Sequence, residues 1–83
     1  MSYEYQIIKA EIEAVESIIP ESYTVKQDNK HLSSLRCRSN DGMSEEQWEQ
    51  FKLDCQVLFE ERLMEFYHEV NYRHKDFIIY LKP

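Results

Sequence analysis

The chain has 83 residues, with 16 acids against 10 bases and a net charge of −6, the size of one domain with a single modest core. One Gly and two Pro are too few for a linker, a low-complexity tail or a loop-rich scaffold. No apolar run reaches the roughly 18–20 residues of a membrane span.

The first segment, residues 2–19, places Tyr5, Ile8, Ile12, Val15 and Ile19 at steps of three and four, the helical period. Ile7, Ala14 and Ile18 widen that stripe, as expected of a helix docked broadly on a sheet. Pro20 stops it, because the residue before proline is pushed out of the helical region. Residues 22–27 alternate, with Tyr23 and Val25 against Thr24 and Lys26, and read as a half-buried strand. Asp28-Asn29-Lys30 is a turn, and residues 31–38 form the next strand. Its Ser33, Leu35 and Cys37 take one face and Ser34, Arg36 and Arg38 the other. Ser39-Asn40-Asp41-Gly42 ends the hairpin with strong turn chemistry.

Ser44 and Gln47 have the spacing of a capping box, and Met43 with Trp48 that of a hydrophobic staple. Glu45 and Glu46 suit the first turn of the helix that follows. Its stripe is Trp48, Phe51, Cys55, Leu58, Phe59, Leu63 and Phe66, which predicts a helix over residues 45–66. The tail reads as strands at residues 68–73 and 77–81, joined by a turn at His74-Lys75-Asp76. The expected fold is α+β in the order α-β-β-α-β-β, one domain over residues 1–83, with both helices on one face of a four-stranded antiparallel sheet. The helix–hairpin unit would then occur twice.

Glu11-Ile-Glu-Ala-Val-Glu-Ser-Ile-Ile-Pro-Glu-Ser-Tyr-Thr-Val25 resembles the opening of RWD domains. In that family an acidic first helix runs through a proline into the first strand, and the domains bind proteins. The family's later Tyr-Pro…Pro motif is absent and the chain is shorter than its usual layout, so no functional residue carries over.

Charge divides by element. The two expected helices hold 11 acids against Lys9, Lys52 and Arg62; the remainder holds 5 acids against 7 bases. An acidic helical side can occupy a partner's nucleic-acid site by presenting negative charge to its Lys and Arg side chains. The alternative is a solvated face that keeps the protein soluble. On the expected second helix Asp54, Glu61 and Glu65 share one line, and Glu49 and Glu60 another. With Trp48 as origin, Leu53, Val57 and Met64 fall between about 140° and 180° around that helix, away from the core. They form a candidate contact with another chain, a second copy being the simplest. Lys26, Arg36 and Arg38 should share the open face of the sheet, joined by Arg73 and Tyr80, where nucleic acid could bind. The overall charge opposes that reading, and pairing with Glu69 or Asp28 is its alternative.

No phosphate loop, Cys-x-x-Cys or His-x-x-x-His spacing occurs. Cys37 and Cys55 lie on expected core faces, and Ser33 and Ser34 have no evident activating base. His68, His74 and a nearby acid could meet on a hairpin, but no catalytic residue, metal or cofactor is expected. The opening Met-Ser-Tyr-Glu-Tyr has no basic stretch followed by an apolar one. No secretion signal is therefore expected, and the cysteines read as reduced thiols of a cytoplasmic protein.

The expectation is therefore a non-enzymatic protein-binding module, an inhibitor or modulator of a nucleic-acid-handling complex. In size, acidity and lack of catalytic motifs it resembles, at class level only, small anti-defence and host-takeover proteins of phages, anti-CRISPR proteins among them. The alternatives are an adaptor or homodimer held through Leu53, Val57 and Met64, and a nucleic-acid binder acting through Lys26, Arg36 and Arg38.

Overall fold

A computed structural model describes residues 2–30, 33–70 and 72–82, with side chains described for residues 9–30, 33–69 and 72–82. The elements are α1 (Ser2–Glu16), β1 (Thr24–Gln27), β2 (Ser34–Arg38), α2 (Glu45–Phe59), a 3-10 turn at Glu60–Arg62, β3 (Leu63–Val70) and β4 (Asp76–Leu81). The sheet is antiparallel in the order β1-β2-β4-β3. This is the expected α+β fold.

Val25, Leu35, Cys37, Phe77, Ile79 and Leu81 point inward from the strands. They meet Val15 and Ile19 from α1 and its exit, and Trp48, Phe51, Cys55 and Phe59 from α2. Both helices therefore cover one sheet face. A two-fold axis normal to the sheet, between β2 and β4, would exchange the unit α1-β1-β2 with α2-β3-β4. Such an axis keeps both helices on the same side, so the helix–hairpin unit does occur twice.

The expected helix over residues 2–19 ends earlier, at Glu16. The Ser17 hydroxyl donates to the Ala14 carbonyl at 2.6 Å, and the Ile18 amide to the Val15 carbonyl at 3.0 Å, a tightened last turn before Pro20. Ile12 and Ile18 pack on the core as expected, whereas the side chains of Tyr5, Ile7 and Ile8 lie outside those described. In the first hairpin turn the Lys30 amide donates to the Asp28 carboxylate at 3.2 Å; His31 and Leu32 lie outside the described residues.

The larger correction concerns the second helix. It starts as expected: Ser44 Oγ accepts from the Gln47 amide at 3.1 Å, and the Ser44 amide donates to Gln47 Oε1 at 2.9 Å. It ends at Phe59 rather than at residue 66, with Glu60 at φ 51°. A spacing of three keeps Leu63 and Phe66 on one side of a helix, whereas in a strand only the extra residue of a bulge brings both to the inner side. Pairing beyond the local sequence decides between them. β4 is buried along nearly its whole length and needs a strand on each side. β3 supplies the second one, so the strand expected at residues 68–73 lies over Leu63–Val70 instead. The register skips one residue between Leu63 and Glu65 and another between His68 and Val70. These bulges twist an edge strand and blunt it against unwanted pairing.

Candidate functional site

Glu46, Glu49, Leu53 and Val57 repeat at steps of three and four along α2 and are all exposed, so they share the side turned from the core. Leu53 is 55% and Val57 78% exposed, an apolar pair left uncovered on a helix whose other side is buried. Glu49 pairs with Lys52 at 3.3 Å. Asp54, at the margin, accepts through Oδ1 from Gln50 Nε2 at 3.0 Å.

The remaining acids expected beside them lie elsewhere. Glu60 is the C-cap of α2 and Glu61 belongs to the 3-10 turn. Glu65 sits on β3, paired in register with Tyr80. Asp54, Glu61 and Glu65 therefore share no helical line, and neither do Glu49 and Glu60. Met64 is likewise removed from the apolar stripe: it is 58% exposed at the first bulge of β3. Leu58, expected in the core, is 38% exposed at the mouth of a cleft beside Ala10 and Ala14 of α1. Arg62 pairs with Glu11 at that cleft; burial pushes the Glu11 carboxyl up and the guanidinium opposes the shift.

The open sheet face places Lys26, Arg36 and Arg38 together, as expected. Lys26 is opposite Arg36, and Arg38 is opposite both Thr24 and Asp76. Arg36 donates Nε to one oxygen of Asp76 at 3.0 Å and Nη2 to the other at 2.8 Å. Arg38 Nε lies 3.5 Å from the same carboxylate. The hydrogen bonds to Asp76 raise the proton affinity of the Arg36 guanidinium further. Arg73 is not part of this group; it sits in the β3–β4 turn.

His68, His74 and an acid meet at the β3–β4 turn. His74 Nε2 lies 3.0 Å from Glu45 Oε2, and His74 Nδ1 lies 2.9 Å from His68 Nε2. The His74 ring stacks on Trp48 at 4.1 Å with an interplanar angle of 8°. With both rings neutral and Glu45 ionised, the proton order is fixed. His74 donates through Nε2 to Glu45 and accepts through Nδ1 from His68 Nε2–H. Burial, then the neighbouring His74, holds His68 below the ordinary histidine range. The chain ties the β3–β4 turn to the first turn of α2. The signal in sequence is the two-residue spacing of Phe66 and His68, which the expected boundary between helix 45–66 and strand 68–73 divides.

The cysteines are inert in this setting. Burial pushes the thiol of Cys37 far up and that of Cys55 up to about 12. Among the described residues no group of three or more His, Cys, Asp or Glu side chains could hold a metal ion. No described helix is long and apolar enough to cross a membrane. Comparison of the chain with protein-family models, with curated proteins and with solved structures finds no match.

Proposed function

We propose that this protein is a small stoichiometric protein-binding module that acts through the outward side of α2. The observation that carries this reading is the exposed Leu53–Val57 pair in line with Glu46 and Glu49. Such a strip fits a partner surface that is apolar at its centre and basic at its rim. A protein that grips nucleic acid offers basic rims of this kind, so occupancy of its groove would make this chain an inhibitor or modulator. Full mimicry by a line of acids is not part of the proposal, since Glu61 and Glu65 have left the helix. A second copy of the chain is the alternative occupant in antiparallel pairing, which sets Glu46 and Glu49 at opposite ends of the paired helices; parallel pairing would crowd them against their own copies.

The test is affinity capture from nuclease-treated cell lysate with wild type, Leu53→Asp and the double variant Glu46→Lys/Glu49→Lys. All three sites are exposed, so the fold should survive, as circular dichroism would verify. A specific partner held by wild type should be lost by Leu53→Asp and released at lower salt by the lysine variant. Identical retention by all three would refute this use of α2.

A further inference from the structure

A cleft of about 590 Å³ opens beside β1 and β2 on the sheet face away from the helices. Its floor is Asp76, which is only 7% exposed. One buried carboxylate there serves two guanidiniums. The bidentate bond fixes the plane of Arg36 and leaves its Nη1 outside the Asp76 pair. Arg38 keeps a side chain 66% exposed and only a long contact to the same acid. Lys26 lines the cleft directly opposite Arg36, where like charges are mutually unfavourable. Lys75 and Asp28 complete the charged lining, and Asp28 also accepts from the Lys30 amide in its own turn. The cleft thus holds an excess of positive charge on a chain of net charge −6.

We propose that this cleft binds the phosphate group of a small phosphate ester. The site is separate from the α2 face and stands whether or not the protein-binding reading does. An anion bridging Lys26, Arg36 and Arg38 would relieve their mutual repulsion, and Asp76 holds Arg36 in a donor geometry suited to phosphate oxygens. The volume suits a small molecule. Tyr67 and Tyr80, on the same sheet face, do not line the cleft, so it offers no stacking platform for the bases of a nucleic acid.

Titration with ribose 5-phosphate and with inorganic phosphate, followed by the arginine Nε–H and backbone NMR signals, tests this directly. Saturable shifts centred on Arg36, Arg38 and Lys26 are expected. Lys26→Glu and Arg38→Glu change exposed side chains, so the backbone spectrum should persist while affinity falls about tenfold or more. Leu53→Asp should bind as wild type does. The proposal is overturned by no saturable shift at millimolar ligand, or by affinity that both charge reversals leave unchanged. Binding of a short oligothymidine while both small phosphates fail would overturn it too, and would assign the face to nucleic acid.

Discussion

Arg73 and His74 stand at φ 54° and 57°, side by side in the turn between β3 and β4. The Lys75 amide donates to the Tyr72 carbonyl at 3.2 Å, which closes a tight turn of the type that Asn-Gly normally fills. Holding two side chains there costs roughly 1–3 kcal/mol each. The surroundings over-determine the turn. Tyr23 donates its hydroxyl to the His74 carbonyl at 2.7 Å, and the Met43 amide donates to the Arg73 carbonyl at 2.8 Å. Gly42, at φ 71°, lies so close that an added Cβ would stand 2.3 Å from that carbonyl oxygen. Gly42→Ala should therefore destabilise by about 2 kcal/mol or more in urea unfolding, joining backbone strain to a clash. The histidine chain gives a second expectation. His68 is held below its unfolded value, so between the two values the unfolded state binds more protons. Stability should fall as pH drops below about 6.5 and level off beneath the folded value. The groups facing His68 are His74, Glu45 and Lys52. His68→Phe keeps a ring against Trp48 and Phe77 and should flatten the slope of Tm between about pH 7 and 5. An unchanged slope would place its origin elsewhere.

At the scale of elements, local signals placed starts better than stops. Ser44 and Gln47 fixed the beginning of α2 because a capping box is made of neighbours in sequence. Its end has no such signature: Glu60 occupies φ 51°, ψ −124°, a conformation suited to glycine. Glu60→Gly should then stabilise the protein by about 1 kcal/mol in thermal or urea unfolding, since it relieves strain without removing a buried contact. A destabilisation of that size would mean that the glutamate side chain holds the junction. Residues 63–66 fit the helical stripe, and only the demand of β4 for a second neighbour, met through the bulge at Met64, overrides it. That demand is non-local and invisible to a moving window. The candidate surfaces inherited the same division. Leu53, Val57 and Glu49 were legible because the helix there is real, and Lys26, Arg36 and Arg38 because strand alternation is short-ranged. Asp76 as the shared partner of two arginines, and Glu45 with His74 and His68, needed the sheet order to meet.

Across the whole molecule the charge remains divided after the helix is shortened. α1, α2 and the 3-10 turn hold 10 acids against Lys9, Lys52 and Arg62, while the rest holds 6 acids against 7 bases. The acidic side carries the exposed apolar pair, and the opposite side carries the cationic cleft. A partner that docks on α2 would thus leave the cleft open. Electrostatic attraction of this kind acts on encounter more than on residence, and salt screens it over a length of about 8 Å at physiological ionic strength. The apolar pair, once desolvated, governs departure. The decisive measurement is the association and dissociation rate of the captured partner over a salt series, for wild type, Glu46→Lys/Glu49→Lys and Leu53→Asp. Wild-type association should slow steeply with salt, the lysine variant should associate slowly even at low salt, and Leu53→Asp should mainly speed dissociation. Association rates that ignore salt and are shared by all three proteins, with unchanged dissociation, would contradict binding through α2.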